Sequence, residues 1–263
     1  MKLATFIAPG SDEPRSGLVD VEGDRVRPFG GPDGVREVLA GGEKPTASGD
    51  GWTLDDVTLL APVPHPGTVY AIGLNYAKHV AETGDTRPKQ PIVFVKVRNS
   101  VAPPSGPIRC PEVVRRLDYE GELTIVIGAG GQIGGYCVAD DVSARDLQGR
   151  EPQWTRAKGA DTFCPYGPWI TTADEVPDPG NLRLQTWVNG ELRQDANTSD
   201  LIFGCDELVA FIAQTCTLQP GDLILTGTPS GVGMAMDPPS WLESNDTIRI
   251  AIESLGEIEH RVE

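Results

Sequence analysis

Two glutamates separated by a single residue, Glu120 and Glu122, are the first feature of the sequence that could support chemistry. They lie in the stretch LDYEGELTIVI, residues 117–127, whose alternating apolar residues predict a β-strand inside a core. Side chains of a strand alternate between its two faces, so both carboxylates would project from the same side. Two carboxylates held that close repel each other unless a cation lies between them. An isolated pair of glutamates with this spacing is more often part of a solvated acidic surface, so a metal site needs a further ligand.

A third carboxylate, Asp141, follows the strand-like segment GGYCVAD at residues 134–140. A carboxylate at a strand end could complete an all-oxygen site of the kind that Mg²⁺, Mn²⁺ and Ca²⁺ prefer. All three candidate ligands are carboxylates rather than His or Cys, which argues against zinc. The residues alone leave the metal site a hypothesis. The neighbouring Asp140 and Asp146 are interpreted as capping residues or as partners of Arg145 rather than as ligands.

The elements that would position these carboxylates are mostly strands. Short β-rich runs bounded by Gly, Pro, Asn and Asp predict strands at residues 68–73, 91–97, 122–128, 134–142, 182–188, 222–227 and 247–253. The dipeptide Asn189-Gly190 predicts a hairpin after the fifth of these runs. Helices are predicted only at residues 76–82, 143–148 and 206–214. The pattern therefore indicates a mainly β, α+β catalytic domain with short helices.

The first part of the chain predicts a small separate unit. Short strands are expected at residues 3–8 and 16–26, and a helical stretch at 35–39. The composition then changes to APVPHPG, residues 61–67, a proline-stiffened linker with little capacity for helix or sheet. We therefore expect a small N-terminal domain at 1–60 and a catalytic domain at 61–263.

Residues 120–148 resemble the metal motif of the fumarylacetoacetate hydrolase family. The matching residues are Glu120-x-Glu122, then a Gly-Tyr strand leading to Asp141-Val-Ser-Ala-Arg145-Asp146-x-x-Gln148. Further matches, in family order, are GLNYAKHVAE at 73–82, PIVFVK at 91–96, KGADTFCPYGP at 158–168, VNGE at 188–191, PGD at 220–222 and TGTPSGVG at 226–233. One turn, WLESND at 241–246, departs from the Gly-Asp common in the family, but Asn245 tolerates a positive φ. The resemblance spans about residues 62–263 and implies a mixed β-sandwich or β-roll, usually a homodimer.

The resemblance also implies roles for individual residues. Glu120, Glu122 and Asp141 match the ligands of a divalent metal, with Mg²⁺ expected and Mn²⁺ or Ca²⁺ as alternatives. His79 and Glu82 match a water-activating dyad on a lid segment, and their i, i+3 spacing places them on one helix face. The remaining implied site residues are Lys158, which would support a developing enolate, Thr228, which would grip a substrate carboxylate, and Arg145 and Gln148, which lie in the active-site helix.

Several reactions fit such a site. The first expectation is hydrolysis of a C–C bond in a small 2,4-dioxo acid of the acylpyruvate type through a metal-stabilised enolate. Loss of CO₂ from an oxaloacetate-like acid, or isomerisation or tautomerisation of a related enol such as a 2-hydroxy-diene-dioate, would use the same site. A non-catalytic protein that binds 2-oxo acids is a further alternative, although it would not need a base.

Composition and charge exclude several other classes. The formal charge of −16 disfavours nucleic acid and anionic lipid as partners, so the expected partner is a small 2-oxo acid. A bound dication would reverse that charge locally. The five cysteines form no CxxC pair, which indicates free thiols in a reducing compartment. The N-terminal apolar run is too short for a signal peptide, and a cytoplasmic protein is therefore expected.

Overall fold

The computed structural model describes residues 1–263, and the protein is mostly β with few helices. The first elements are β1 (Lys2–Ile7), β2 (Pro14–Asp20), β3 (Arg25–Gly30), α1 (Gly34–Leu39), β4 (Trp52–Thr53) and β5 (Thr58–Leu60). Next come β6 (Val69–Gly73), α2 (Ala77–Thr83), β7 (Ile92–Lys96), β8 (Val101–Ala102), β9 (Ser105–Ile108), β10 (Leu117–Asp118), β11 (Gly121–Ile127) and β12 (Ile133–Asp140). The last are β13 (Ser143–Ala144), α3 (Arg145–Gln148), α4 (Thr155–Lys158), β14 (Cys164–Thr172), β15 (Arg183–Val188), β16 (Glu191–Asn197), α5 (Cys205–Ala213), β17 (Leu223–Leu225), β18 (Thr247–Ile252) and β19 (Gly256–Val262).

Most strands belong to one large sheet. Its order is β4-β3-β2-β1-β14-β12-β11-β17-β6-β7, with β5 paired to β1 and β8 paired to β14. The strand β11 lies near the middle, antiparallel to both β12 and β17. Every residue of β11 is buried, which is typical of a strand covered on both faces. The strand that carries the acidic motif is therefore among the most enclosed in the molecule.

A second sheet of five strands, in the order β16-β15-β18-β19-β9, packs against the middle of the first. Leu123, Ile125 and Ile127 of β11 share the main core with Ile248 and Ile250 of β18. Val126, which lies between Ile125 and Ile127 on β11, belongs to a separate core on the other face of the large sheet. The predicted alternation of β11 is thus confirmed, and it sends the side chains of even-numbered residues away from the second sheet.

The hairpin predicted at Asn189-Gly190 joins β15 to β16. Both turn residues have positive φ, 51° and 81°, which is the backbone conformation that this dipeptide favours in two-residue hairpin turns. Asn245 also has a positive φ of 74°, so this Asn keeps the turn that the family forms with Gly.

The N-terminal segment joins the large sheet rather than forming a sheet of its own. Residues Lys2 and Leu3 of β1 pair with Thr171 and Ile170 of β14, and β1 also pairs with β2 and β5. The division into domains at residues 1–60 and 61–263 stays a prediction, since shared pairing does not decide whether either part folds alone. None of the helices has both the length and the apolar composition needed to cross a bilayer.

Candidate metal centre and active-site cavity

The register between β11 and β12 brings the three predicted metal ligands together. Gly121 lies opposite Asp140, and the amide of Asp141 donates to the carbonyl of Glu120 at 2.9 Å. Glu120 immediately precedes β11 and Asp141 immediately follows β12, so both flank the same end of the strand pair. One oxygen from each of Glu120, Glu122 and Asp141 lies within 4.8 Å of the others, and all three residues are buried. These three residues are called the acidic triad below.

Two lysines and an arginine neutralise part of the acidic triad. Lys158 Nζ lies 2.6 Å from Glu120 Oε2 and 2.8 Å from Asp141 Oδ2. Lys96 Nζ contacts the other oxygen of Asp141 and the carbonyl of Lys158. Burial would lower the pKa of the Lys158 ammonium, but the charges of Asp141 and Glu120 outweigh burial and raise it. Lys158 is therefore a permanent cation at the rim of the triad.

The two glutamates of the triad have opposite electrostatic environments. Burial opposes ionisation of Glu120, but the charges of Lys158 and Arg145 outweigh it and lower the pKa of Glu120 to about 2. Burial raises the pKa of Glu122 well above its usual value, and the negative charges of Asp141 and Glu120 raise it further. Glu122 has no basic side chain in contact and accepts a hydrogen bond only from the amide of Gly227, at 2.6 Å. One buried carboxylate of the triad thus lacks a cation.

This arrangement fits a divalent cation. The donor set is three carboxylates, the ligand type that hard cations such as Mg²⁺ prefer. A cation bound by all three would relieve the repulsion that falls on Glu122. Within the acidic triad, the lysines and the arginine contact Glu120 and Asp141 but not Glu122. The charge of Lys158 lowers the pKa of Glu122 without offsetting the rise that burial and the neighbouring acids cause.

Arg145 connects the triad to a fourth buried acid, Asp118. Its Nε donates to Asp118 Oδ2 at 2.8 Å, and its Nη2 lies 2.6 Å from Glu120 Oε1. Its Nη1 donates to Gln148 Oε1 at 3.0 Å, which ties the two residues predicted in the active-site helix to each other. The expected pairing of Arg145 with Asp140 or Asp146 is wrong, because its guanidinium contacts Asp118 and Glu120. The alternative expectation, a capping role, agrees with the backbone amides from which Asp140 and Asp146 accept hydrogen bonds.

His79 and Glu82 form the expected pair on α2. His79 Nδ1 lies 2.8 Å from Glu82 Oε1, and His79 is 6% exposed. Both carboxylate oxygens of Glu82 also accept from the amide of Gly231, at 3.1 Å. Glu82 is therefore held by the TGTPSGVG loop, and it in turn fixes the orientation of the His79 ring.

Thr228 is buried, and its hydroxyl already has two partners. It donates to the carbonyl of Gly121 at 3.1 Å and accepts from Gln194 Nε2 at 2.8 Å. Gln194 Oε1 in turn accepts from the amide of Gly121 at 3.0 Å. The hydroxyl thus helps to hold the start of β11, and its expected grip on a substrate carboxylate stays a prediction.

One cavity of about 290 Å³ joins these groups. Six of the nine residues predicted for the site line it: His79, Glu120, Arg145, Gln148, Lys158 and Thr228. The other three are in contact with lining residues, since Glu82 holds His79, Asp141 holds Lys158 and Glu122 completes the acidic triad. The structure therefore brings all nine residues to one place.

Several residues of the site were not predicted. Asp118 precedes Glu120 by two residues, so its i, i+2 spacing was a signal that could have placed it on the same face. Lys96 lies in the strand predicted at residues 91–97, where a buried lysine has no distinguishing pattern. Asp140 accepts from the amide of Glu120 at 2.8 Å and contacts His260 Nε2, also at 2.8 Å. Such contacts between distant strands cannot be derived from local spacing.

The fold and the site together define a class of protein, a two-sheet β protein in which a buried acidic triad and a His–Glu pair meet at one cavity. The family model for the C-terminal domain of fumarylacetoacetate hydrolase matches residues 68–263, and a model named Rv2993c-like, N-terminal matches residues 1–62. The chain belongs to the fumarylacetoacetate hydrolase family and is one of its enzymes. The family and the mainly β fold predicted from the sequence are confirmed.

Relatives that are named for different activities match the whole chain. The mitochondrial oxaloacetate tautomerase Fahd2 of Xenopus laevis is 38% identical over 100% of this chain and 90% of its own length. The crystal structure of a 2-hydroxyhepta-2,4-diene-1,7-dioate isomerase from Mycobacterium marinum is 37% identical, with a TM-score of 0.82, and covers 100% of this chain and 98% of that one. A fumarylacetoacetate hydrolase structure from Exiguobacterium antarcticum is 33% identical, with a TM-score of 0.87, and covers 100% and 99%.

Proposed function

We propose that this enzyme acts on small 2-oxo acids through their enolates in a divalent-metal-dependent reaction, and that its reaction is keto–enol tautomerisation. The observation that supports the proposal is a single cavity lined by His79, Glu120 and Lys158, with Glu82 hydrogen-bonded to His79. The activities after which two relatives are named, a tautomerase and an isomerase, support proton transfer as the reaction.

The acidic triad would hold the ion. We propose Mg²⁺, with Mn²⁺ and Ca²⁺ as alternatives, because the three donors are carboxylates. When bound, the ion would supply Lewis-acid stabilisation of negative charge on the oxygens of the substrate.

The side chains would carry out the proton transfers. With Nδ1–H donating to Glu82, His79 presents an unprotonated Nε2 that can accept a proton. The C3–H bond of the 2-oxo acid breaks, its proton moves to Nε2, and its electron pair forms the C2–C3 double bond while charge moves to the C2 oxygen. Return of the proton to that oxygen gives the enol. The ammonium of Lys158 and the guanidinium of Arg145, both buried, favour the anionic intermediate.

Hydrolysis of a 2,4-dioxo acid, the first expectation from the sequence, is the second candidate. Glu82 is fixed by the amide of Gly231, so the same dyad could equally hold His79 to take a proton from water that attacks the C4 carbonyl. Decarboxylation needs no such base, and the dyad therefore does not favour it.

A turnover assay with separate readouts tests the proposal. Enol absorbance, C–C cleavage and CO₂ release are followed with oxaloacetate and acetylpyruvate, in Mg²⁺ or Mn²⁺ and with a chelator. We expect chelator-sensitive acceleration of the keto–enol exchange. Metal-dependent cleavage of acetylpyruvate without faster exchange would replace tautomerisation by hydrolysis, and CO₂ release alone would assign a decarboxylase. Metal binding with no turnover of either compound would favour a binding protein.

The homodimer implied by the family is also a proposal. The strand β7 is the last strand of the large sheet, and Val93 and Val95 on its outer face are 37% and 42% exposed. Apolar edge strands are usually covered. In light scattering after gel filtration, we expect a dimer that Val93→Asp dissociates and that Val21→Asp, at an exposed valine in a turn, leaves intact. A wild-type monomer would contradict the proposal. A cytoplasmic location likewise stays a prediction.

A further inference from the structure

An apolar wall begins beside Lys158 and continues along the cavity. The Lys158 ammonium lies 5.5 Å from the centre of the Phe94 ring. Phe94 in turn meets Trp154 edge to face, with ring centres 5.2 Å apart and an angle of 76° between the rings. Both aromatic residues line the same cavity as Glu120 and His79. The cavity therefore changes from a charged end at the acidic triad to an aromatic surface.

The absence of a side chain at Gly73 makes room for the indole of Trp154. A Cβ atom at residue 73 would lie 2.9 Å and 3.2 Å from two carbons of the Trp154 indole, closer than van der Waals contact allows. Ile72 and Leu74, from the same segment, also line the cavity, as does Met234. Leu74 has a φ of 54°, a left-handed backbone conformation that residues other than glycine adopt at an energetic cost. We call Ile72, Gly73, Leu74, Phe94, Trp154 and Met234 the distal wall.

The charges that line the cavity are unequally distributed. Its permanent cations, Arg145 and Lys158, are both in contact with buried carboxylates of the protein. The remaining charged residue of the lining, besides Glu120 and the His79 ring, is the acid Asp85. A second carboxylate of a substrate placed against the distal wall would lose hydration and would face a like charge. An alkyl or aryl group there would be transferred from water to an apolar surface.

We propose that the distal wall binds an uncharged apolar group at the far end of the substrate. This inference rests on the proposed function and names its substrate class: 2,4-dioxo acids with an alkyl or aryl group beyond C4, rather than acids that end in a second carboxylate. Trp154 determines this specificity, and Gly73 permits its position. The carboxylate and the 2-oxo group would lie at the charged end of the cavity.

A matched pair of substrates tests the inference. The compounds are 2,4-dioxoheptanoate and 2,4-dioxoheptanedioate, which share the reacting head and differ in a methyl or a carboxylate at the far end. With Mg²⁺, we expect kcat/KM for the monoacid to exceed that for the diacid by about tenfold or more, the range of discrimination by apolar pockets. A wild-type preference for the diacid, or equal values, would overturn the inference while leaving the proposed function in place.

Two variants assign the preference to the wall. We expect Trp154→Ala to bring the ratio of the two kcat/KM values towards one. Asp85→Lys should lower the same ratio by raising kcat/KM for the diacid. This second variant keeps the indole, so its result stands even if Trp154→Ala fails to fold. Trp187→Ala, at a half-buried tryptophan that stacks on Arg249 in the second sheet, is the matched control and should keep the wild-type ratio. Unchanged ratios in folded Trp154→Ala and in Asp85→Lys would contradict the assignment.

Binding of acids that lack the 4-oxo group separates this inference from the proposed function. Calorimetry with Mg²⁺ compares 2-oxohexanoate with 2-oxohexanedioate. If neither dioxo acid is turned over but 2-oxohexanoate binds about tenfold more tightly, the proposed reaction fails and the distal wall stands. If neither acid binds and neither dioxo acid reacts, both proposals fail.

Discussion

At the scale of single residues, the environment of Glu122 sets it apart, because burial and the neighbouring acids raise its pKa well above the usual value. Glu120 and Asp141 have cationic partners, whereas Glu122 lies beside both of them with a backbone amide as its hydrogen-bond donor. A buried carboxylate in that position destabilises the folded chain unless a cation is bound. The acidic triad is therefore a candidate site for a divalent cation.

The proposed role of His79 as a general base can be tested separately from metal binding by substitution. We expect His79→Ala to lower the rate of tautomerisation, or of hydrolysis, by about 10²–10⁴-fold, the usual contribution of a general base. Its affinity for Mn²⁺ should stay at the wild-type value, because the imidazole contacts Glu82 rather than the triad. Stopped-flow absorbance and calorimetry give the two quantities. His65→Ala, at an exposed histidine, is the control, and a variant of His79 as active as that control would contradict the role.

The nine site residues could be anticipated from the sequence because they lie in short motifs with family-like spacing. Their contacts could not. Arg145 is paired with Asp118 because β10 and β13 run side by side, a long-range pairing that no local pattern contains. Trp154 lines the cavity and packs on Gly73 and Phe94, contacts that join residues far apart in the sequence.

At the scale of elements, the site depends on strand ends that meet. The register of β11 with β12 sets the distance between Glu120 and Asp141. Lys96, the last residue of the edge strand β7, contacts Asp141 as well. The strand runs at residues 68–73 and 247–253 were predicted within one or two residues of β6 and β18. The order of the strands within the sheets was not predictable, since β1 and β14 pair across about 170 residues of chain.

Lys96 offers a test of how β7 is held to the site. Its ammonium is buried and contacts the Asp141 carboxylate and the Lys158 carbonyl. We expect Lys96→Met to lower the free energy of unfolding, measured by urea denaturation without metal, by about 3–5 kcal/mol, because removing one partner leaves a buried charge less compensated. Lys89→Met, at an exposed lysine just before β7, is the control. A Lys96 variant within about 0.5 kcal/mol of wild type would show that the contact is dispensable.

At the scale of the whole molecule, the large sheet has a hydrophobic core on each face, and these cores enclose three of the thiols. Cys205 lies in the core shared with the second sheet, and Cys137 and Cys164 lie in the core on the other face. All five cysteines are free, and Cys137, Cys164 and Cys205 are buried. Burial raises the pKa of Cys137 well above its usual value, and it raises the pKa of Cys164 and of Cys205 to about 12. These thiols stay protonated at neutral pH and are unreactive, since the thiolate is the nucleophile.

Thiol labelling measures that enclosure directly. With Ellman's reagent at pH 8, we expect the native protein to react at no more than two positions, the half-buried Cys110 and Cys216. All five thiols should react in denaturant. Rapid native labelling of a third cysteine would contradict the packing of β12, β14 or the start of α5.

The most direct measurement is the melting temperature of wild type, Glu122→Gln and Glu207→Gln, with and without Mg²⁺ or Mn²⁺. Without metal, we expect Glu122→Gln to melt above wild type, because it removes the carboxylate that lacks a cation. With metal at 100 times its Kd, wild type should gain about 2.7 kcal/mol, while Glu122→Gln should gain far less and the order should reverse. Glu207 is exposed on α5, and its variant should follow wild type throughout. A wild type that gains nothing from Mg²⁺, Mn²⁺ or Ca²⁺, or a Glu122→Gln variant that gains as much as wild type, would contradict a metal centre at the acidic triad.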